Sequence, residues 1–336
     1  MRAAIITAPE KAEIIEVPTP VPGPADVLVK IRACGICGSD SLYISIGGLP
    51  PRQGSMPIGH EPAGEVVEVG KDVRDIAVGD RVVINPMAVP DDIIGNGGST
   101  GALADYLLIK DAVRGRSIEV VPEHIPYEVA ALNEPMAVAR HAVNQVAPRP
   151  TDQVLVFGAG PIGLGITISL KSRGVKHVVV ADVLPDRLNK ALEVGADAVI
   201  NSNAEDLPAR LIELHGEGDS MWPGRAATDI FLDAAGVPAV IDTAFGVAQR
   251  GAKLGIVAVH KEPVSLDLMN VMSNELTVVG SMGYPSEIFE VTKDIVENWE
   301  TYRVIISHTF EFDDLGEALR CVGTPGAADK VVITLD

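Results

Sequence analysis

The sequence predicts an α/β chain in which a doubly wound parallel sheet is joined to a second, β-rich domain, and three observations carry that prediction. Residues 153–182 (QVLVFGAGPIGLGITISLKSRGVKHVVVAD) read as strand, glycine turn, helix and strand, one βαβ unit. After them, strand-like apolar runs at 197–200, 229–233, 252–257 and 276–281 alternate with helical segments, the order expected of a parallel sheet covered on both faces. Before them, short apolar runs at 3–6, 13–17, 27–32, 64–69, 81–85 and 103–109 are punctuated by Gly, Pro and Asp, as in a compact β-rich fold.

In chain order, the runs 13–17 and 27–32 flank the proline-rich turn Pro18–Pro24. Residues 126–146 have helical spacing. Pro135 removes a helix hydrogen bond and disfavours helical geometry at the residue before it, so a break is expected around Glu134. The stretch APRPT (147–151) reads as the junction between a domain over 1–148 and a second over 149–283. The Gly- and acid-rich insertion 215–227, with Trp222, precedes the fourth strand of the second domain. It reads as a solvated loop at the edge of the sheet away from the glycine turn, with an oligomer contact as the alternative. Residues 284–336 hold a helix (287–299), a strand near 308–312, a helix capped by Asp313 or Asp314 and a final strand (330–335). Too short to bury a core of its own, this segment is expected to return to the first domain.

At 336 residues the chain is long enough for two domains with their own cores. Its formal net charge is −19 and no Lys/Arg cluster appears. Such a surface repels phosphate backbones and anionic lipid, which argues against nucleic-acid and membrane partners. The N-terminal MRAAIITAPEKAEII lacks the apolar core and small-residue cleavage site of a signal peptide, and the most apolar window, 154–170, is interrupted by glycines. Three cysteines do not make a disulfide framework. A reduced, cytoplasmic enzyme is the expectation.

Two sets of residues carry chemistry. Gly158, Gly160 and Gly163 have G-x-G-x-x-G spacing, with Pro161 and Ile162 between the last two. The first glycine permits a sharp turn, the second lets a pyrophosphate approach the backbone, and the third lets the helix pack close to the sheet. Asp182 ends the second strand, 19 residues after Gly163, where a carboxylate accepts hydrogen bonds from adenosine ribose hydroxyls and repels a 2′-phosphate. A dinucleotide site that favours NAD over NADP is expected, with Arg187 placed to meet either cofactor. A bare structural turn is the alternative, opposed by the strand before, the helix after and the terminal aspartate.

The second set is ACGICGSD (33–40), GHE (59–61) and ALNEPMAVARHA (131–142). Cysteine, histidine and glutamate are good zinc ligands, and a catalytic zinc keeps three protein ligands with one position open. On composition alone, Cys34 and Cys37 also suit a redox pair, His60 a hydrogen-bonded core histidine, and Glu134 a helix-break cap.

In combination, Cys-Gly-x-Cys-Gly-Ser-Asp, Gly-His-Glu, Gly-Asp-Arg-Val (79–82) and the later βαβ unit make the whole chain resemble the zinc-dependent medium-chain dehydrogenases. Glu134-Pro135 is similar to the sorbitol, threonine, butanediol and L-idonate dehydrogenase branch. The resemblance implies a GroES-like catalytic domain, a Rossmann NAD-binding domain and one catalytic zinc per chain. It implies zinc ligands Cys37, His60 and Glu134, with Glu61 as a possible fourth and Asp40 orienting the histidine. It also implies that Ser39 bonds the substrate alcohol and takes its proton, and that Tyr43 is the aromatic found in the polyol branch. The implied reaction passes a hydride between a secondary alcohol or polyol and NAD, giving a ketone, in a homodimer or homotetramer that pairs strands 276–281. A zinc-free quinone or enoyl reductase of the same superfamily and a non-catalytic nucleotide-binding relative are the competing readings.

Two departures stand out. Residues 85–101 contain none of the cysteines that hold a structural zinc in many members, so no structural zinc is expected. Leu42 stands where many relatives end a proton relay with histidine, so Ser39 is expected to pass its proton through the cofactor ribose or water. The residues expected near the pocket (Ser39, Tyr43, Ile46, Met87, Asn96) mix polar and apolar character and do not fix the alcohol.

Overall fold

The structure, a computed structural model, describes residues 1–336. The N-terminal part runs β1 (Arg2–Ala8), β2 (Lys11–Glu16), β3 (Val27–Ile36), α1 (Gly38–Ile46), β4 (Met56–Pro57), β5 (Glu61–Val69), β6 (Arg81–Ile84), β7 (Tyr106–Ile109) and β8 (Ile118–Val120). Helices α2 (Tyr127–Ala130) and α3 (Asn133–Val146) follow. Strands and helices then alternate: β9 (Gln153–Phe157), α4 (Pro161–Ser172), β10 (His177–Asp182), α5 (Pro185–Glu193), β11 (Ala198–Asn201) and α6 (Leu207–His215). The second half of this alternation is β12 (Ile230–Asp233), α7 (Pro238–Val247), β13 (Lys253–Ile256), α8 (Leu268–Ser273) and β14 (Thr277–Gly280). The chain closes with α9 (Glu290–Arg303), β15 (Ile306–Glu311), α10 (Leu315–Gly323) and β16 (Lys330–Thr334).

Two compact units result, one of Met1–Glu134 with Ile288–Asp336 and the other of Pro135–Glu287. The first holds a seven-stranded sheet of order β15-β16-β3-β5-β6-β8, with β7 also on β3, and a three-stranded sheet of order β2-β1-β4. Its centre is β3, whose run VLVKIRACGI is buried almost throughout. One end of β3 pairs antiparallel with β7 and the other with β16, while β5 runs along its opposite side. Ile31, Ile58, Val66, Ile84, Leu103, Ile109, Phe312 and Val331 form the core beneath. The register sets Gly35 of β3 opposite both Glu61 of β5 and Val332 of β16.

The second unit is the doubly wound parallel sheet, six strands in the order β11-β10-β9-β12-β13-β14. Winding reverses between β9 and β12, which lie side by side with Leu232 opposite Val156. β9 is flanked by strands on both sides, and its Val154, Leu155 and Val156 are inaccessible to solvent. The continuous apolar run is the consequence of burial on both faces. No helix is long and apolar enough to cross a membrane.

The helical stretch 126–146 is interrupted earlier than Pro135 suggests. The gap falls between Ala130 and Asn133, and Pro135 sits in the first turn of α3. There its missing N–H has no intrahelical partner to lose. The unit boundary at Glu134/Pro135 also precedes the junction expected at 147–151. The cause is packing of α3 on α4, where a Cβ at Gly165 would come within 2.7 Å of Met136 Sδ and 2.9 Å of Ala139 Cβ. Asn144 Nδ2 donates to Glu287 Oε1 (2.8 Å) and Lys253 Nζ to the Val146 carbonyl (2.7 Å), tying α3 further to this unit.

Candidate active site

The first cluster grows from the end of β3. Cys37 is extended (φ −93°, ψ 155°) and caps α1, and Asp40 at the third helical position accepts the Cys37 N–H at 3.0 Å. This reciprocal cap fixes the cysteine. Asp40 is fully buried; Oδ1 accepts the Gly59 N–H at 3.4 Å and faces His60 Nδ1 at 3.6 Å. Burial alone would raise the Asp40 carboxyl pKa, but His60 and the donors of Cys37 and Gly59 outweigh it and hold it below the usual carboxylate range. For His60, burial favours the neutral ring, yet Asp40 and Cys37 push its pKa well above the ordinary value. Gly59 has φ +90°, and a Cβ there would lie 2.6 Å from Leu103 N, so glycine alone can turn the chain into His60.

Glu61, the first residue of β5, completes the group: ligand atoms of Cys37, His60 and Glu61 all lie within 4.8 Å of one another. Both His60 and Glu61 are buried, and Glu61 Oε1 has no hydrogen-bond partner. Glu61 Oε2 pairs with the ammonium of Lys330, whose Nζ also donates to the Ile36 carbonyl at 3.0 Å. Burial would lower the Lys330 pKa, but Glu61 first and Cys37 next raise it. A Cβ at Gly35 would overlap Glu61 Oε2 and approach Lys330 Cε at 2.9 Å, so Gly35 is the notch in which the pair meets. A thiolate, an imidazole and an unpartnered buried carboxylate oxygen suit zinc with one position left open.

The trio differs from the expected ligand set. Glu61 stands in it, whereas the buried Glu134 lies outside the group and is the weakest of the groups that raise the Lys330 pKa. Lys330 itself was not foreseen. Its only sequence signal is a lysine opening an otherwise apolar last strand, KVVIT. Cys34 is fully buried and burial raises its thiol pKa, which removes the redox-pair reading. Ser39 Oγ is a buried atom without a hydrogen-bond partner, Tyr43 is half-buried with a phenol pKa raised by burial, and Leu42 is exposed.

The second cluster lies at the C-terminal ends of β9 and β10. Gly158 has φ +92°, and a Cβ there would sit 3.1 Å from the Ala234 carbonyl; a Cβ on Gly163 would overlap the Gly158 carbonyl oxygen. Gly160 caps α4 with Pro161 first in the helix, and no side chain caps the N–H groups that follow. Those donors, with Ile162 half-buried beside them, form an anion cradle. Asp182 accepts from Ala159 N (2.7 Å), Val183 N (2.7 Å) and Leu184 N (2.9 Å), holding the turn and keeping lone-pair capacity for a ribose hydroxyl. The Arg187 guanidinium approaches Gly160, 4.0 Å from where a Cβ would be.

Known proteins place these observations. Residues 161–298 match the family described as zinc-binding dehydrogenase, and residues 23–115 match the alcohol dehydrogenase GroES-like domain. The chain is 31% identical to (R,R)-butanediol dehydrogenase of Neisseria gonorrhoeae, over 94% of its own length and 93% of that protein. It is 29% identical to sorbitol dehydrogenase of Bacillus subtilis, covering 84% and 82%. The NADH complex of an Escherichia coli CFT073 alcohol dehydrogenase superposes with a TM-score of 0.84 at 28% identity, covering 99% of both chains. Likeness of this extent, running through both units, makes the chain a member of the zinc-dependent medium-chain dehydrogenase family.

Proposed function

We propose that the protein oxidises a secondary alcohol or polyol to its ketone with NAD, and catalyses the reverse reduction, using one zinc per chain. The observation that carries this reading is the meeting of Cys37, His60 and Glu61 within 4.8 Å, with Glu61 Oε1 left unpartnered. Cys37 and His60 would hold the metal, with Glu61 or Glu134 as the carboxylate ligand. Bound there, zinc supplies Lewis acidity that eases ionisation of an alcohol near neutral pH, and NAD supplies the hydride acceptor. Ser39 Oγ, buried next to the Tyr43 phenol, would accept the alcohol proton while its own hydrogen passes on through the cofactor ribose or water. Asp40 keeps the Cys37 turn and the His60 ring in place. The butanediol and sorbitol dehydrogenase relatives support a diol or polyol substrate.

Asp182 supports NAD over NADP, because its carboxylate stands where a 2′-phosphate would be repelled. The end strand β14, with exposed Thr277 and Val278 and the exposed Leu268, Met269 and Met272 of α8 nearby, supports a homo-oligomer paired through that strand. Light scattering on the purified protein checks this; a monomer at micromolar concentration would contradict it. For the activity, NADH formation from vicinal diols and sugar alcohols is expected, with NADP at least about tenfold poorer in kcat/KM. Loss of turnover in Cys37→Ser is expected as well, and turnover retained in that variant would contradict the metal-assisted reading. Leu42→His tests the proton route: an unchanged pH–rate profile means that the relay is complete without a histidine.

A further inference from the structure

Asp233 ends β12 and is fully buried, and every acceptor it offers is used. Oδ1 accepts the N–H groups of Ala235 and Gly236, both at 2.9 Å, and its backbone carbonyl accepts those of Val257 (3.1 Å) and Ala258 (3.0 Å). Oδ2 meets His260 Nε2 at 2.7 Å. His260 belongs to the segment after β13, so this imidazole is a side-chain clasp between the loop leaving β12 and the loop leaving β13.

The β12 loop adjoins the glycine turn, and the β13 loop packs on the β12 loop. A Cβ on Gly158 would lie 3.1 Å from the Ala234 carbonyl and 3.2 Å from Ala235 N, so a shift of the β12 loop is felt at the turn. Gly236 has φ +70°, and a Cβ there would come 2.8 Å from the Val259 carbonyl, which shows how closely the two loops pack. A doubly wound sheet binds one mononucleotide half on each side of its switch point. With Asp182 marking the adenosine side on β10, the other half falls over β12 and β13.

We propose that His260, held by Asp233, is a positioning residue that fixes the wall of the site for the nicotinamide half of the dinucleotide. The inference rests on the reading of this unit as an NAD site. The clasp requires a hydrogen on Nε2. The network assigns it there, since Asp233 Oδ2 is an acceptor and Nδ1 is buried without a partner. A neutral ring and an imidazolium both donate from Nε2, so the clasp depends on a donor at that point and not on charge. Glutamine, whose amide nitrogen reaches a comparable position, is therefore the conservative replacement.

Fluorescence titration with NADH, alongside calorimetric titration with AMP, tests this in wild type, His260→Gln, His260→Leu and His260→Ala. Loss of the clasp in the leucine and alanine variants is expected to weaken NADH binding about tenfold, the scale of one hydrogen bond to a charged group. AMP, which lacks the nicotinamide half, is expected to bind within about twofold of wild type, and glutamine to restore NADH binding to within about threefold. Wild-type NADH affinity in both leucine and alanine variants would overturn the proposal. So would equal loss of NADH and AMP binding, or failure of glutamine to restore binding. A wild-type protein that binds neither ligand would instead refute the dinucleotide site itself, and the proposal with it. Alanine makes no new packing demands and keeps the test open should leucine prevent folding.

Discussion

At the residue scale the metal cluster depends on one pairing of distant residues. Lys330 neutralises Glu61 through Oε2 and leaves Oε1 unpartnered, and Gly35 makes room for both. Removing one member of a buried pair leaves an uncompensated charge, typically at a cost of about 3–5 kcal/mol. Lys330→Met is therefore expected to destabilise the metal-free protein on that scale in urea unfolding, and less once zinc is added, because the cation then answers Glu61. Equal losses with and without zinc would separate Lys330 from the metal site. His215 makes a different prediction. Its Nδ1 bonds Thr228 Oγ1 at 2.7 Å, and burial, then the neighbouring His177, lower its pKa to about 4. The unfolded chain takes up this proton near pH 6.5 and the folded chain only near 4, so stability is complete above that upper value and falls as pH drops between the two. The loss amounts to about 3 kcal/mol at about 1.4 kcal/mol per pH unit. His215→Gln is expected to flatten that part of the stability–pH curve, and an unchanged slope would contradict the assignment.

At the element scale, the turn between β9 and α4 is the most constrained local structure. A Cβ at Gly163 would overlap the Gly158 carbonyl, so Gly163→Ala must push α4 off the sheet and spoil the anion cradle. We expect NADH affinity to fall at least about tenfold while the far-UV circular dichroism changes little. Retained affinity would show that the helix does not need this close approach. This element was legible in the sequence because all its determinants are local: strand, glycine spacing, helix and terminal aspartate lie within 153–182. Cys37, Asp40 and His60 lie within two short motifs, whose likeness to a family singled them out, and the structure brings the three side chains together. The break before α3 was misplaced because proline is tolerated in a first helical turn, and only packing decides where that turn begins. That Glu61 falls within the trio and Glu134 outside it is likewise a tertiary matter, set by how β5 and α3 pack rather than by any local motif.

At the scale of the whole molecule, the first unit is assembled from both ends of the sequence. β16 inserts between β15 and β3 and brings Lys330 to Glu61, so the last strand is part of the candidate metal site and not an appendage. Chain length foretold separate cores and periodicity foretold the parallel sheet, because each is a property summed over many residues. Pairings between residues hundreds of positions apart leave no such average to read. On our proposal, this chain builds one zinc site from Cys37, His60 and a carboxylate. Elemental analysis of the purified protein tests it most directly. One zinc per chain, lost in Cys37→Ser with NADH binding retained, is the predicted result. Absence of zinc from wild-type protein that still binds NADH tightly after zinc is supplied would contradict it.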